Sequence, residues 1–144
     1  RMRQRREDEE LVLRFFAYSD RYKKFRHDVD RFLDKFAKDH REHFEAERMR
    51  SEFDATMTFV EKYFPYGFAK GDASRATPRV RFEAIAVGTN LALREVAGLQ
   101  PRPVRSWLDS EEFRHQTTTH ASNSGPRLRG RIEFVRDRLL ESGN

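Results

Sequence analysis

The sequence predicts an all-α fold, a compact bundle of five or six helices forming one domain over residues 1–144. Apolar residues recur at three- and four-residue spacing through most of the chain, as on the buried face of an amphipathic helix. No stretch alternates apolar and polar residues with β-branched enrichment, and no Asn-Gly or Asp-Gly hairpin turn occurs. The length of 144 residues, with 13 Phe, suits one domain with its own core.

Three apolar stripes at helical spacing occupy the first half of the chain. Acidic residues at positions 7–10 suit the positive end of the first helix dipole. The stripes therefore predict three helices, within Glu7–Tyr18, around residues 25–36 and over about residues 45–64. Their members are Leu11, Val12, Phe15 and Phe16, then Phe25, Val29, Phe32, Leu33 and Phe36, and then Phe53, Met57, Val60 and Phe64.

Prolines and glycines in residues 65–78 predict an internal loop, which separates these helices from the second half. The most apolar helix of the chain is predicted after it, and its small residues indicate close packing against neighbours. Ser106 and Asp109 have a spacing close to a capping box, which predicts a short helix there. A last helix is predicted from Gly125. The stripes of the two long helices are Val80, Ala84, Ile85, Gly88, Leu91, Ala92 and Val96, and then Leu128, Ile132, Val135 and Leu139.

Composition excludes several classes of site. The chain has no Cys, which excludes disulfides and thiolate metal sites. No apolar run approaches the roughly 20 residues that span a bilayer, so a cytoplasmic protein without membrane partners is expected. The chain opens in a charged segment, Arg1–Arg6, which is typical of a piece of a longer polypeptide.

The net charge of +5 is distributed unevenly along the chain. Residues 1–74 contribute +1 (17 basic, 16 acidic) and residues 75–144 contribute +4 (12 basic, 8 acidic). A polyanion such as nucleic acid binds where cations gather. The distribution therefore predicts an electrostatic footprint in the second half.

The stretch around Ser124 is the best candidate for anion binding. Residues 117–125 are small and polar, and they lead into the predicted last helix, where free N–H groups and the dipole favour an anion. Arg127 and Arg131 lie one turn apart on that helix. The alternative is that Ser124 or Asn123 only caps the helix and that the arginines are solvated or paired.

Three other patterns each have a simpler structural explanation. His40, His43 and Glu47 share a helix face and could hold a divalent metal, but such a face is usually solvated. Small all-α RNases of toxin and defence systems carry Arg-x(4–6)-His, which matches Arg21 with His27 and Arg114 with His120; in an Arg-rich chain chance produces such matches. Trp107 and Phe113 could stack bases, although such aromatics usually close a core. No nucleophile elbow or Walker-type loop is present.

Several short stretches occur in a fixed order through nearly the whole chain. They are DEELVLRFFA (8–17), Tyr22, VDRFLD (29–34), FPYGF (64–68), TPRVRFEAIAVG (77–88), WLDSEEF (107–113), ASNS (121–124) and RIE (131–133). Together they resemble the C-terminal helical half of bacterial proteins that carry an N-terminal ParB-like domain of unknown function. That family is similar to the DNA-targeting subunits of GmrSD-type and phosphorothioate-sensing restriction systems.

The resemblance implies a helical companion domain and transfers no catalytic residue. In the family, nucleotide-dependent chemistry belongs to the ParB-like part through an Asp-Gly-Gln-Gln-Arg-type motif, and residues 71–75 do not fit that motif. His120 to Asn123 likewise do not make the His-Asn-His nuclease site of some relatives. The implied partner is the ParB-like domain of the same polypeptide, and no cofactor is expected.

These observations predict a non-catalytic domain of a DNA-targeting defence protein that supports the ParB-like part and contacts the DNA backbone. Such contacts position phosphates without reading sequence. The alternatives are a purely structural or protein-interaction module and a small RNase. The residues predicted to contact phosphates are Arg127, Arg131, Arg79, Arg81, Arg105 and Ser124.

Overall fold

A computed structural model describes residues 2–41, 45–71, 78–118 and 124–142, with side chains described from Glu10 to Glu141 within those ranges. The described residues form seven helices, five of them seven residues or longer, and no strand, which confirms the all-α prediction. The helices are α1 (Met2–Arg21), α2 (Val29–Asp39), α3 (Ala46–Tyr63), α4 (Arg79–Phe82), α5 (Gly88–Glu95), α6 (Arg105–Leu108), α7 (Glu111–Gln116) and α8 (Gly125–Ser142). A π-helical turn (Glu83–Val87) joins α4 to α5 without a break, so these two count as one helix. A 3-10 turn, Tyr22–Lys24, follows α1.

The segments α4, π turn and α5 run on as one helix, residues 79–95, here called the central helix. It contacts α1, α3 and α8, and every residue from Val80 to Asn90 is buried. Gly88 has no room for a side chain, because a Cβ there would lie 2.6 Å from Cβ of Val135 and 2.8 Å from the carbonyl oxygen of Ile132. The close packing predicted from the small residues is confirmed.

The apolar stripes predicted on the later helices form the core. Leu128, Ile132, Val135 and Leu139 are all at most 1% exposed, as predicted. Trp107 and Phe113 are also buried, with ring centroids 5.4 Å apart in an edge-to-face contact. Both aromatics therefore pack in the core and do not form a base-stacking surface.

Three predicted helix starts were wrong. α1 begins at Met2, so the acidic residues at positions 7–10 do not lie in its first turn. α2 begins at Val29, capped by Asp28, whose carboxylate accepts the N–H of Arg31 at 3.1 Å. α6 begins at Arg105, before the predicted cap at Ser106, because the N–H of Ser106 already donates to the carbonyl oxygen of Pro103 at 3.2 Å. The serine that caps a helix here is Ser110, which accepts the N–H of Phe113 at the start of α7.

The predicted internal loop falls between α3 and the central helix. Residues 65–71 form turns and bends, whereas residues 72–77 lie outside the described residues. No helix in the described part of the chain is both long and apolar enough to cross a membrane.

A buried carboxylate joins three helices at the centre of the molecule. Glu83, in the π turn, is 1% exposed, and its two oxygens accept from Arg14 of α1 at 2.7 Å and from Arg131 of α8 at 2.6 Å. Arg79 approaches the same carboxylate at 3.9 Å. Burying a charge is costly unless it is paired and hydrogen-bonded, so these ion pairs require the three helices to keep this arrangement.

A second polar network ties α1, α3 and α5 together nearer the surface. Arg94 donates to Asp20 at 2.6 Å and to Glu52 at 2.8 Å, and Arg48 contacts both carboxylates. Burial alone would raise the pKa of Asp20, but the hydrogen bonds from Arg48 and Arg94 hold it below its ordinary value. The pKa of Glu52 is lowered in the same way, against burial, by Asn90 and the two arginines.

Replacing Glu83 with Gln tests the buried ion pairs. The variant leaves Arg14 and Arg131 buried with no carboxylate between them, so we expect it to unfold about 3–5 kcal/mol more easily. Chemical denaturation measures this loss. Glu112→Gln is the matched control, because Glu112 pairs with Arg138 at the surface with 67% of its side chain exposed, and it should cost under about 1 kcal/mol. Equal losses in the two variants would contradict a central role for Glu83.

The second network predicts a specific sensitivity to acid. Because the pKa values of Asp20 and Glu52 are lowered on folding, both groups stabilise the fold above their ordinary pKa of about 4, and this contribution is lost as the pH falls below that value. We expect the free energy of unfolding to fall more in the native protein than in Asp20→Asn/Glu52→Gln between about pH 6 and about pH 3. Urea denaturation across that range measures this difference, and an equal fall in stability in the two proteins would contradict the prediction.

Candidate nucleic-acid interface

A group of exposed cations surrounds the turn between α1 and α2. Two adjoining depressions share Lys24, Arg26 and His27 in their linings. The first, of about 400 Å³, extends along the start of α2, and the second, of about 640 Å³, reaches Gly125 and Pro126 at the start of α8. Six of the basic residues that line them are here called the basic surface: Lys23, Lys24, Arg26, His27, Arg31 and Arg129. Arg21 and Lys35 also line the first depression and are not counted in it.

The lysines and arginines of the basic surface have no carboxylate partner among the residues that the structure describes. At its edge, in contrast, Arg21 and Lys35 both bind Asp39, at 2.7 and 3.2 Å. The carboxylate within the lining, Asp28, is used as the cap of α2. The five lysines and arginines thus face one carboxylate in the two linings, and the excess of positive charge can attract an external anion.

The 3-10 turn that carries Lys23 and Lys24 is fixed to α8 by a buried tyrosine. The hydroxyl of Tyr22 donates to the carboxylate of Glu133, and Arg136 donates to the Tyr22 oxygen at 3.3 Å. Burial, followed by the hydrogen bond to Glu133, raises the pKa of Tyr22 to about 12. The two lysines are consequently presented from a rigid base.

The start of α8 closes against the same turn. Gly125 is buried, and a Cβ there would lie 3.1 Å from the carbonyl oxygens of both Phe25 and Arg26. It would also lie 3.2 Å from Nη1 of Arg129, so that guanidinium sits beside the α8 start. This close approach brings Arg129 into one surface with a turn about a hundred residues earlier in the chain.

The predicted anion cradle at the start of α8 is a helix cap in the structure. The hydroxyl oxygen of Ser124 accepts the N–H of Arg127 at 3.3 Å. The Arg127 side chain lies beside α7, with its Nη1 3.3 Å from Nε2 of His115. Of the two interpretations of this stretch, capping agrees with these contacts; residues 119–123 lie outside the described residues.

Arg131 does not fit the predicted row of phosphate contacts. It is 1% exposed and bound to Glu83, so a DNA backbone has no access to it. Arg79 is exposed but belongs to the same ion-pair cluster. The apolar stripe of α8 contained the signal for this burial, since position 131 falls on the same helix face as Leu128 and Ile132.

The remaining predicted arginines are separated from these. Arg81 is 6% exposed, which does not fit a contact with a DNA backbone, whereas Arg105 is exposed on α6. The structure therefore does not gather the predicted set into one surface. Most members of the basic surface belong to residues 23–31, in the half of the chain that has the smaller net charge.

Of the two Arg–His pairs, one falls within the described residues. Arg21 and His27 line the same depression, but Arg21 is engaged by Asp39 and lies over the ring of Phe36, 5.5 Å from its centroid. His120 lies outside the described residues, so its pairing with Arg114 has no structural account.

The predicted metal face is also only partly described. His40 hydrogen-bonds the carbonyl oxygen of Phe36 through Nδ1 at 2.9 Å and packs on its ring, while His43 lies outside the described residues. In the ranges that are described, no three His, Asp or Glu side chains come together as a metal site.

Comparison with known proteins adds no relative. No family model, no curated protein and no solved structure matches the chain. The functional interpretation therefore depends on the contacts and charges of the chain itself.

The hydrogen bond from Tyr22 to Glu133, here called the tyrosine anchor, gives a pH-dependent prediction. Tyr22→Phe removes the hydrogen bond to Glu133, so we expect a loss of about 0.5–1.5 kcal/mol of stability at neutral pH. Because the pKa of Tyr22 is raised to about 12 on folding, its contribution is complete below the ordinary tyrosine pKa and is lost as the pH rises from there towards 12. Denaturation at neutral and alkaline pH should show the two proteins converging.

Tyr66→Phe is the control for this measurement, since Tyr66 is 44% exposed and should show no difference at either pH. A constant gap between native protein and Tyr22→Phe at all pH values would contradict the anchor.

Proposed function

We propose that this chain is a non-catalytic helical domain that binds the DNA backbone through the basic surface. The observation that carries the proposal is the group of lysines and arginines, five in all, that line two adjoining depressions without a described carboxylate partner. Duplex DNA presents about one negative charge per 1.7 Å of helix axis, so a cluster of unneutralised cations releases several counterions when it binds.

The composition of the basic surface favours backbone contact over base reading. It combines flexible lysines with arginines at the turn and at the start of α8, and the rigid support from Tyr22 and Gly125 holds them on one face. Such contacts set the position of a protein on a duplex and carry no sequence information. We therefore infer binding that is strongly salt-dependent and insensitive to sequence.

A basic surface also suits an anionic membrane, but a peripheral membrane surface normally adds exposed apolar side chains. Among the side chains that the structure describes, Tyr66 is the large hydrophobic residue that is exposed, and it is not in either depression. The same observation gives little support to apolar docking on another protein.

We also propose a wider role for the domain as part of a longer defence protein. The resemblance of the quoted stretches to the helical half of ParB-like defence proteins supports a cytoplasmic domain that accompanies a ParB-like part of the same polypeptide. In that arrangement the basic surface holds the duplex while the catalytic part acts on it.

Fluorescence anisotropy with a short labelled duplex at about 50 and 200 mM salt tests the proposal. We compare the native chain with Lys23→Gln/Lys24→Gln/Arg26→Gln. Each lost phosphate contact should reduce the salt slope by nearly one, so the triple variant should bind more weakly with a slope flattened by up to about three.

The control is Arg50→Gln/Arg102→Gln/Arg105→Gln, which removes the same charge from exposed positions outside the basic surface and includes one predicted contact, Arg105. It should bind almost as the native chain does. An equal loss in both variants would show that net charge alone is responsible. No binding at the lower salt would favour a protein-interaction module.

The RNase alternative, which depends on Arg21 and His27, can be tested with the same protein sample. Incubation with labelled single-stranded RNA shows whether the chain cuts it. Cleavage that is lost in His27→Ala would replace the binding function with an enzymatic one.

A further inference from the structure

Arg81 is a buried cation with no ion-pair partner among the residues that the structure describes. It is 6% exposed, its Nε donates to the carbonyl oxygen of Phe68 at 3.1 Å, and its guanidinium carbon lies 5.3 Å from the centroid of the Phe113 ring. No described carboxylate comes within ion-pairing distance of it, whereas Arg14 and Arg131, equally buried, both bind Glu83. Among the described residues, the charge of Arg81 is therefore compensated only in part, by Asp109, which makes no ion pair with it.

Such a position is energetically costly for the protein alone. A guanidinium has several N–H donors, and a carbonyl oxygen and an aromatic face satisfy only part of them. Burial lowers the pKa of Arg81, and the charge of Asp109 acts in the opposite direction. An anion that entered beside Arg81 would both accept its remaining hydrogen bonds and compensate its charge.

A cavity of about 370 Å³ leads to Arg81 between the start of the central helix and α7. Two more cations, Lys70 and Arg114, line it and are exposed, so the cavity is open to solvent at their end. Arg114 is oriented by its hydrogen bond to the carbonyl oxygen of Asp109 at 3.1 Å. With Asp109 as the acidic member of the lining, three positive charges face one negative charge.

The rest of the lining suits a small organic molecule. Val80, Leu108 and Phe113 supply apolar walls, and Thr117 and Thr118 supply hydroxyl groups. A cavity of a few hundred Å³ with apolar walls and a few convergent polar groups is typical of a small-molecule site. The excess of two positive charges matches a phosphate group better than a carboxylate.

We propose that this cavity binds the phosphate group of a small phosphorylated molecule, with Arg81 as the buried anchor and Lys70 and Arg114 at the entrance. Arginine presents planar, forked donors to phosphate, and the half-apolar walls accommodate the group that the phosphate carries. The site shares no residue with the basic surface, so it stands or falls independently of DNA binding.

Ligand-dependent thermal unfolding of the full chain tests this inference, since a ligand that binds only the folded state raises the melting temperature. Phenyl phosphate is the probe and benzoate at equal ionic strength is its carboxylate counterpart. We expect a saturable rise with phenyl phosphate that exceeds the rise with benzoate. In Arg81→Lys the dissociation constant should increase by at least about tenfold, because the fork of donors is lost.

Lys70→Gln/Arg114→Gln keeps the test decisive if Arg81→Lys is poorly folded, because both positions are exposed and should tolerate the change. It should weaken phenyl phosphate binding several-fold, whereas Arg50→Gln/Arg102→Gln should leave it unchanged. Equal effects of phenyl phosphate and benzoate, no saturable effect, or an unchanged dissociation constant in the Lys70 and Arg114 variant would each overturn the proposal.

Discussion

The pairing of Glu83 with Arg14 and Arg131 is the constraint on which the rest of the structure depends. A carboxylate inside the most apolar helix of the chain is tolerable only if cations reach it from neighbouring helices. Those cations come from α1 and α8, so the two ends of the chain meet at the central helix. With α8 held there, its first turn lies against the turn after α1, and that contact creates the basic surface.

The arginines of this chain fall into two groups, which their surroundings distinguish. Arg48, Arg94 and Arg131 join helices through carboxylates. The arginines of the basic surface lack such partners among the described residues, and Arg81 is held by a carbonyl oxygen and a ring. The total of 29 Lys and Arg is therefore a poor guide to binding, because many of these side chains are paired within the fold.

The sequence predicted the helices well because apolar periodicity determines which side of a helix is buried, as Leu128 and Val135 illustrate. It placed Arg131 and Arg81 wrongly, at the surface, for a related reason. A charged residue on a helix is normally solvated, so Arg131 was interpreted as a surface residue although its position lies on the apolar stripe. Arg129 and Arg26 form one surface only after α8 folds back onto the turn, and no local pattern encodes that contact.

The π turn at Glu83–Val87 also sets the rotational phase of the central helix. A π turn holds one more residue than an α-helical turn does, so the extra residue is absorbed in the wider turn and the helix keeps its orientation on either side. A regular α-helix with the same number of residues would turn its second half by about 100° relative to its first. Glu83 could then not face its arginines while Gly88 packs against Val135, so the wider turn lets one helix make both contacts.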